Sequence, residues 1–331
     1  MKRIVLGFSG GVDSTVAALL LQKDGWDVQG VYLDNSDAAS ADEARRSAAH
    51  MGIALTVIDV HAELEEAVCK PFLQAYLRGR TPIPCILCNR TVKFKNLLAQ
   101  ADAVGAFSVA TGHYARTQDG MLLRGLSEND QSYMLCTLTP EQVRRTVFPL
   151  GAMKKSEVRT IAAENGLLAA KKPDSQEICF IPDKDYRGWI ERRGCVPEPG
   201  DFLLHGEVFG QHEGIYRYTV GQRLPGFFDG RKLYVSRIDA QSNTIELAWW
   251  DELFKTEVLA GNFSWLIEPP QEPIRASVRV RHTKWEQPAC TVSIEGGLVR
   301  IVCDEPVRAP AAGQVAALYD GDRVLGGGII L

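Results

Sequence analysis

The first half of the chain alternates short apolar runs with longer segments of helical composition. The run over 4–8 is apolar throughout, which is typical of a parallel strand buried on both faces, and the Ala- and Leu-rich segment over 14–23 predicts a helix that ends at Gly25. Further strands are predicted at 27–33, 54–60 and 107–111, and further helices at 41–51, 63–78, 89–104, 154–165 and 183–193. This alternation favours a doubly wound parallel α/β sheet, whose ligand binds at the carboxyl ends of the strands.

From residue 197 onward the pattern changes to short β-rich stretches separated by Gly, Asp and Asn. Strands are predicted at 201–204, 214–219, 232–238 and 244–248, and, beyond a second break near 268–270, at 274–282, 289–294, 298–304 and 315–319. The last four are typical of a small β-barrel. The sequence therefore predicts three domains: an α/β domain with a helical extension over 1–196, a central β-rich domain over 197–262 and a C-terminal β-barrel over 263–331.

A glycine-rich loop follows the first strand, where the fold places its ligand. Gly10 and Gly11 let the backbone approach a phosphate chain without a Cβ in the way, and the N–H groups at the start of the next helix favour an anion. Ser9 and Ser14 can donate hydroxyl hydrogen bonds, and Asp13 can cap the helix or help to hold Mg²⁺. An ordinary glycine turn before a capped helix explains the two glycines, but not the serines on both sides together with Asp13.

The Lys of a G-x-x-x-x-G-K-S/T loop is absent, so a P-loop of that class is excluded. The stretch over 7–14 instead resembles the loop of the N-type ATP pyrophosphatases, which split ATP into AMP and pyrophosphate. Two further residues, at the ends of later strands, are predicted to line an adenine pocket, although a plain core role also fits Leu33. The predicted ATP-binding residues are Gly7, Phe8, Ser9, Gly10, Gly11, Val12, Asp13, Ser14, Leu33 and Gly112.

Composition fits a cytoplasmic enzyme. The chain has 331 residues, 45% of them hydrophobic, and it shows neither an apolar run of membrane-spanning length nor a signal-peptide pattern. Eight cysteines spread thinly suit a reducing compartment rather than a disulfide scaffold. The net charge of −4 gives no general support for a nucleic-acid partner, so any such binding must use local basic patches.

Two cysteines have distinctive surroundings. Cys88 falls at the predicted start of a helix with Arg90 and Lys93 nearby, and both a helix dipole and cations lower the pKa of a thiol and favour the nucleophilic thiolate. Cys179 lies where a polar turn runs into an apolar stretch. Each is also compatible with a small buried hydrophobe. That interpretation is adopted for the cysteines whose neighbours are not distinctive, which are Cys69, Cys136, Cys195, Cys290 and Cys303.

Ordered matches along nearly the whole chain resemble the bacterial and organellar tRNA-specific 2-thiouridylases. The matching stretches are 7–14, 79–82, 88–89 with 93–95, 110–114, 129–133, 170–175 with 178–181, 219–223, 313–314 and 326–330. That family makes 2-thiouridine at the wobble position of certain tRNAs: ATP adenylates the C2 oxygen of uridine, and sulfur then displaces AMP. The resemblance implies ATP and Mg²⁺ as cofactors, tRNA as substrate, and an upstream sulfur carrier or cysteine desulfurase as partner, with no role for a membrane.

The resemblance also implies residue roles by position. Cys179 would accept sulfur as a persulfide, and Cys88 would attack it, releasing the sulfur and leaving a Cys88–Cys179 disulfide for reduction. Ile83, Pro84 and Cys85 would contact the target base, which must be splayed out because its C2 is not reachable inside a stacked loop. The other implied tRNA contacts are His113, Asn129, Asp130, Gln131, Arg281, His282 and Gln314. Basic residues predicted to meet phosphates are Arg90, Lys93, Lys95, Lys154, Lys155, Lys171, Lys172, Arg279 and Arg281.

The chain departs from the family's usual pattern in three places. It has Ile-Pro-Cys over 83–85 instead of Asn-Pro-Asp, so a possible general base is missing and a thiol is added. The segment over 33–37 lacks the usual Met-Lys-Asn-Trp, and the stretch over 224–228 is shortened. These changes make the base-facing pocket the part of the chain that the resemblance covers least.

Cys85 leaves two routes open for the sulfur step. Together with Cys88 and Cys179 it could ligate a 4Fe-4S cluster with one iron open to bind sulfide, as in other sulfur-inserting relatives of this ATP-pyrophosphatase class. Otherwise it is an extra redox thiol or half of a C-x-x-C disulfide beside the persulfide relay. Zinc is disfavoured, because only one C-x-x-C pair exists and no Cys/His pair follows at finger spacing.

Two other function classes fit parts of the sequence. A small-molecule ATP pyrophosphatase, such as an amide-forming ligase, would need the glycine-rich loop but neither Cys88 nor Cys179. A non-enzymatic RNA-binding or sulfur-carrier protein would not need an intact loop. AMP formation without RNA distinguishes the first of these classes from a tRNA thiolase.

Overall fold

The computed structural model describes residues 2–35, 38–172, 178–196, 198–282 and 288–331. Ser36 and Asp37, the stretch over 173–177 and the predicted domain boundary at 197 lie outside the described residues.

The first half of the chain contains a five-stranded parallel sheet with an antiparallel hairpin after its fourth strand. Its strands are β1 (Lys2–Gly7), β2 (Trp26–Asp34), β3 (Ala54–Asp59), β4 (Ser108–Ala110), the hairpin β5 (Ala115–Gln118) and β6 (Met121–Arg124), and β7 (Thr146–Val147). The order in the sheet is β3-β2-β1-β4-β7, with every pair parallel. Alternate residues of β1 enter two cores, Ile4 and Leu6 on one face and Val5 on the other, as expected for a strand covered on both sides.

Helices cover both faces of this sheet. They are α1 (Val12–Lys23), α2 (Ala38–His50), α3 (His61–Leu64), α4 (Lys70–Leu77), α5 (Pro84–Cys88), α6 (Phe94–Ala103), α7 (Pro140–Arg144), α8 (Lys155–Glu164) and α9 (Tyr186–Glu191). Two π-helical turns, Glu65–Cys69 and Asn89–Lys93, join α3 to α4 and α5 to α6. None of the helices in the described ranges has the length and apolar composition that a membrane crossing requires.

The helix predicted to start at residue 89 begins five residues earlier, at Pro84. The fixed φ of proline suits the first helical position, and its missing N–H would have no helical partner there. Cys88 is therefore the last residue of α5 rather than the start of a helix, so the predicted dipole contribution to its reactivity is wrong.

The central domain contains a four-stranded sheet. Its strands are β8 (Gly200–Leu204), β9 (Glu207–His212), β10 (Tyr234–Asp239) and β11 (Thr244–Ala248), in the order β10-β11-β8-β9. The strand predicted over 214–219 is wrong, because Ile215–Arg217 is a 3-10 helix whose first two side chains are buried. The strand β9 carries Glu207 and Gln211 and has no apolar alternation, which is why the pattern did not reveal it.

The C-terminal domain is a closed six-stranded barrel. Its strands are β12 (Phe254–Trp265), β13 (Ile274–Arg279), β14 (Ala289–Glu295), β15 (Leu298–Arg308), β16 (Val315–Asp320) and β17 (Arg323–Ile330). The strand β12 pairs with both β15 and β17 and so closes the barrel, which begins at Phe254 rather than at the predicted residue 263. The hairpin β5–β6 adds to β17 through the pair Leu123 and Arg323, so the α/β domain and the barrel share one sheet.

Candidate active site

The glycine-rich loop connects β1 to α1 at the carboxyl edge of the parallel sheet. Gly10 has a φ of 72°, and a Cβ at this position would lie 3.1 Å from the Cα of Ala44. Gly112, just after β4, is equally confined, because its Cβ would lie 3.0 Å from the Cβ of Asp13. Close approach of neighbouring backbone therefore requires glycine at both positions, and the loop is packed rather than open.

Hydroxyl groups stabilise the loop from inside. The Ser14 hydroxyl donates to the carbonyl of Gly11 at 3.1 Å and lies 3.2 Å from the Ser9 hydroxyl. The helix α1 begins at Val12 with Gly11 as its N-cap, and in the described structure no side chain caps it. Of the two roles predicted for Asp13, capping this helix is therefore not the one it has, and a contact with Mg²⁺ stays a prediction.

Asp13 is instead held by a lysine and a tyrosine. The Lys155 ammonium lies 2.8 Å from both carboxylate oxygens of Asp13, and the Tyr114 hydroxyl donates to one of them at 2.8 Å. The Lys155 side chain is only 19% exposed, so this ion pair is shielded from solvent on the lysine side. The carboxylate is 34% exposed and can still be reached by a ligand.

A second lysine reaches the loop from a later segment. The Lys172 ammonium donates to the carbonyl of Gly10 at 3.1 Å and pairs with the Glu43 carboxylate at 2.6 Å. Lys155 and Lys172 thus face the glycine-rich loop, whereas their neighbours Lys154 and Lys171 are exposed. The sequence predicts all four lysines as phosphate contacts of tRNA. The fold separates them, since one lysine of each pair faces the loop and the other faces solvent.

The two predicted adenine contacts lie near the same edge. Leu33 is half-buried near the end of β2, where it pairs in register with Ile58 of β3. Gly112 follows β4 by two residues and contacts the loop through Asp13. Their contact with a nucleotide stays a prediction.

The three predicted functional thiols come together beside this edge. Asn35, the residue after β2, donates from its side-chain amide to the sulfur of Cys179 at 3.1 Å. Cys85 and Cys88 are three residues apart on α5 and so share one face of the helix. Cys85 and Cys179 are exposed, and Cys88 is half-buried. Both exposed thiols are near enough to Cys88 for their charges to affect its pKa.

Their surroundings raise the pKa of two of these thiols, Cys88 and Cys179, which favours the protonated form. Burial raises the pKa of Cys88 to about 11, although Lys93 acts in the opposite direction, and Cys179 and Cys85 add to the rise. Burial and then Cys85 raise the pKa of Cys179, against the lowering effects of Lys93 and the Asn35 hydrogen bond. The predicted lowering of the Cys88 pKa is therefore wrong, because desolvation of the thiolate outweighs one nearby cation.

A fourth thiol lies beneath this group. Cys69 ends the π-helical turn that packs against α5, is 3% exposed, and has its pKa raised to about 12, chiefly by burial. Its burial agrees with the interpretation as a small core residue. Among the described residues, no three Cys, His, Asp or Glu side chains are arranged to hold a metal ion, so this geometry gives the 4Fe-4S alternative no support.

The polar tRNA contacts implied by resemblance at residues 113 and 129–131 have partners within the chain. The His113 ring packs against those of Phe94 and Phe148 and is 2.7 Å from the Thr111 hydroxyl. Burial lowers its pKa well below the usual range. Asp130 pairs with Arg279 of the barrel at 2.7 Å, with both side chains largely buried. The other polar contacts in this region join Asn129 to Ser127, Gln131 to Tyr114, and Asp130 to Gly125 and Ser132.

The remaining implied contacts lie where domains meet. Arg281 donates to the carbonyls of Val220 and Ala309 at 2.5 and 2.8 Å, which ties the barrel to the central domain. Gln314 donates to the carbonyl of Thr81 at 2.7 Å, just ahead of the helix that carries Cys85. The His282 ring lies 5.9 Å from that of Tyr133. Of the two implied base contacts before Cys85, Ile83 is half-buried and Pro84 is buried. Their role in RNA binding stays a prediction.

Comparison with known proteins identifies the family over the full length. Residues 2–183 match the family described as tRNA methyl transferase HUP domain. Residues 191–248 match the tRNA methyl transferase PRC-barrel domain, and residues 255–330 the aminomethyltransferase beta-barrel domain. These three ranges correspond to the α/β domain, the central domain and the closed barrel.

Similar curated proteins carry one name. The tRNA-specific 2-thiouridylase MnmA of Syntrophotalea carbinolica is 43% identical, with 99% of this chain and 98% of the relative covered. The protein of the same name from Acetivibrio thermocellus is 40% identical, with 99% of both chains covered. A solved structure of a 4-thiouridine synthetase–RNA complex with bound ATP aligns at 18% identity and a TM-score of 0.39, covering 58% of this chain and 50% of that one. On the matches that span its whole length, the chain belongs to the tRNA-specific 2-thiouridylase family.

Proposed function

We propose that this protein is a cytoplasmic tRNA-uridine 2-sulfurtransferase, which adenylates the C2 oxygen of the wobble uridine with ATP and replaces it with sulfur. The observation that carries the proposal is the pairing, within one domain, of an ATP-pyrophosphatase loop with a group of three thiols. Similar proteins named tRNA-specific 2-thiouridylase supply the substrate class. Eight unpaired cysteines agree with a reducing compartment.

We infer that Lys155 and Lys172 do the work of the lysine that the loop itself lacks. Pyrophosphate carries several negative charges, and both ammonium groups already lie within hydrogen-bond distance of loop atoms. A small movement would transfer Lys155 from Asp13 to a phosphate oxygen. The freed Asp13 carboxylate is a hard oxygen ligand of the kind that Mg²⁺ prefers, and the ion would add positive charge at the phosphates.

The first chemical step needs no protein nucleophile. The uridine C2 oxygen attacks the α-phosphorus of ATP, a P–O bond to the β-phosphate breaks, and pyrophosphate leaves with the displaced electron pair. The lysines stabilise the charge on the leaving pyrophosphate. The product is an O-adenylated uridine, whose C2 now carries AMP as a good leaving group.

The sulfur step follows through Cys179 and Cys88. A sulfur-carrier protein or desulfurase persulfide would transfer its outer sulfur to Cys179, giving Cys179–S–S⁻ and a free carrier thiol. The Cys88 thiolate then attacks the inner sulfur, forming the Cys88–Cys179 disulfide and expelling sulfide. Sulfide adds to C2, AMP departs, and an external thiol reductant restores both cysteines.

Cys85 separates the persulfide route from the cluster route. Cys85→Asp restores the residue usual in the family, and a carboxylate there can assist the neighbouring thiol. The persulfide relay therefore predicts an active, iron-free variant. An inactive variant that has lost iron and labile sulfide, while keeping its fold, would favour the cluster after anaerobic purification.

The decisive test is reconstitution. Purified protein, unmodified tRNA, ATP, Mg²⁺ and a persulfide donor should yield 2-thiouridine by nucleoside mass spectrometry, with AMP and pyrophosphate in equal amounts. Omission of tRNA should suppress AMP formation. Robust AMP formation without RNA, with no thiolated nucleoside, would instead assign the chain to the small-molecule ligase class.

A further inference from the structure

Six large aromatic side chains lie together at the surface of the central domain and the start of the barrel. This surface, called the aromatic strip below, consists of Phe209, Phe227, Phe228, Trp249, Trp250 and Phe254. Phe227 is 70% exposed and Trp250 is 45% exposed. Exposed apolar groups that are scattered singly need no explanation, but a contiguous group of this kind marks a binding surface.

Ring contacts form two groups within the strip, which adjoin through the neighbouring residues Trp249 and Trp250. Phe209 and Phe228 have ring centroids 4.9 Å apart, and Phe228 is stacked on Trp249 at 6.2 Å with an interplanar angle of 15°. The next residue, Trp250, extends the surface to Phe254 of β12 at 6.0 Å. The strip therefore crosses from the central domain to the barrel.

A tight hairpin presents the most exposed ring. Phe228 and Arg231 exchange two backbone hydrogen bonds of 2.9 Å, and the two residues between them, Asp229 and Gly230, have φ values of 48° and 70°. These features define a two-residue hairpin turn of the kind that matches strand twist. Phe227, next to this turn, is displayed on a pre-organised element, which lowers the entropic cost of binding.

Cations lie over the rings. The Arg231 guanidinium is 4.5 Å from the Trp249 ring centroid and is fixed there by Asp251, and the Lys232 ammonium is 5.3 Å from the Phe227 ring. At the barrel end, Arg308 lies 4.5 Å from the Trp250 ring. Aromatic faces beside cations suit single-stranded RNA, because bases stack on the rings while the cations contact phosphates.

The strip also adjoins a residue already implied in RNA binding. Arg281 donates to the carbonyl of Ala309, the residue after Arg308. Burial lowers the pKa of Arg281, and the charge of Arg308 lowers it further, as expected for two guanidinium groups that are close together. Two guanidinium groups, those of Arg281 and Arg308, thus lie close together beside the Trp250 ring, which favours RNA over a protein partner.

We propose that the aromatic strip is a second contact surface for the substrate tRNA, on which unpaired bases stack while Lys232 and Arg308 contact the backbone. The inference rests on the proposed function, since it assumes that tRNA is the substrate. It adds a source of affinity remote from the thiols, so its loss should weaken tRNA binding without changing the chemistry of bound tRNA.

The test measures binding of fluorescein-labelled tRNA transcript to the full-length protein by anisotropy. Phe227→Ala and Trp250→Ala should each lower affinity by about 5- to 150-fold if each ring stacks on one base. The matched control is Phe107→Ala, because Phe107 is 63% exposed with Arg145 at 5.5 Å from its ring, far from the strip in sequence. The control should bind tRNA as the unmodified protein does.

Salt dependence separates stacking from charge. Removing a ring releases no counterions, so the slope of log affinity against log salt should stay unchanged in Phe227→Ala, whereas Arg308→Gln should make it shallower by about 0.7 to 0.9. Thiolation at saturating tRNA should be unaffected in all these variants.

Three results would overturn the proposal. The first is unchanged tRNA affinity and unchanged thiolation in Phe227→Ala. The second is a loss of tRNA affinity in the Phe107→Ala control equal to that in Phe227→Ala. The third is unchanged tRNA affinity in Phe227→Ala together with a loss of thiolation that appears only when the sulfur donor is a protein. The last would assign the strip to a protein partner. If Trp250→Ala destabilises the fold, Phe227→Ala decides alone, because its side chain is mostly in solvent. If the unmodified protein itself fails to bind tRNA, the proposed function fails rather than the strip alone.

Discussion

The glycine-rich loop and the thiol group differ in how many chain segments build them. The loop is one continuous stretch between β1 and α1, and its side-chain partners Lys155, Lys172 and Tyr114 come from later segments. The thiol group is assembled from α5, from Asn35 after β2 and from Cys179 beyond α8. Both lie at the carboxyl edge of the same parallel sheet, where the fold concentrates ligand sites.

They differ as well in their electrostatic state. At the loop, the charge of Asp13 is balanced by Lys155, so the site is ready for an anion once that ion pair opens. At the thiols, burial raises the pKa of Cys88 to about 11, which disfavours the reactive thiolate. The comparison suggests that ATP binding and thiol activation are separate events, and the four predictions below test that separation.

The largest expected effect comes from removing either thiol. Cys88→Ser and Cys179→Ser should each lower tRNA thiolation by at least about 10³-fold, because a hydroxyl neither carries sulfane sulfur nor attacks it. Pyrophosphate release from ATP and tRNA should persist, measured in the same reaction. Cys195→Ser, at another half-buried cysteine, is the control. Loss of both half-reactions would show that the two sites do not act separately.

The complementary change is at the loop. Lys155→Ala should lower pyrophosphate release by about 10²- to 10³-fold, as when one charge-stabilising donor is removed from a reaction site. The control is Lys154→Ala, at the exposed neighbour, whose rate of pyrophosphate release should stay within about twofold of that of the unmodified protein. Charging Cys179 with a persulfide, followed by mass spectrometry, should be normal in both variants. Equal activity of the two variants would remove Lys155 from the phosphate site.

Sequence reasoning succeeded where the chemistry is local. The loop over 7–14 combines strand, glycines, hydroxyls and helix in one segment, so its position at the sheet edge followed from the pattern. The parallel sheet and the barrel followed from the same kind of periodicity. The sequence pattern around the loop does not reveal its two lysine partners. Lys155 and Lys172 lie more than 140 positions further along the chain, and only the fold brings them to the loop.

The error in the predicted pKa of Cys88 has a physical cause that the sequence does not show. Arg90 and Lys93 are visible in the sequence, but burial of Cys88 is not, and desolvation outweighs the cation. The predicted helix start at residue 89 is wrong for another reason, since Pro84 is the first helical residue and not part of the preceding loop. The partners of Asp13, Lys155 and Tyr114, are distant in sequence, so the local pattern does not decide between the two roles predicted for its carboxylate.

The protonated state of Cys88 predicts a steep pH dependence. With its pKa raised to about 11, the thiolate fraction of ligand-free enzyme should rise about tenfold per pH unit between pH 7 and 10. Alkylation of Cys88 by iodoacetamide, followed by peptide mass spectrometry, should show this slope, with the Cys88→Ser protein as background. A plateau below pH 9 would mean that the thiol is already activated. Bound ATP and tRNA should shift the curve to lower pH if substrate activates it.

The smallest expected effect concerns Asn35, whose amide donates to the Cys179 sulfur at 3.1 Å and thereby lowers the pKa of that thiol. Asn35→Asp keeps the shape but replaces the donor with an anionic acceptor, so the pKa of Cys179 should rise further, and alkylation at pH 8 should slow severalfold. Asn35→Ala should slow it less, since it removes the donor without adding a charge. The measurement uses a Cys88→Ser background, in which Cys179 can be followed without forming the disulfide. Pyrophosphate release should stay unchanged, because Asn35 contacts the thiol and not the glycine-rich loop. If Asn35→Asp and Asn35→Ala alkylate at the unmodified rate, Asn35 does not tune Cys179, and burial alone sets its resting state.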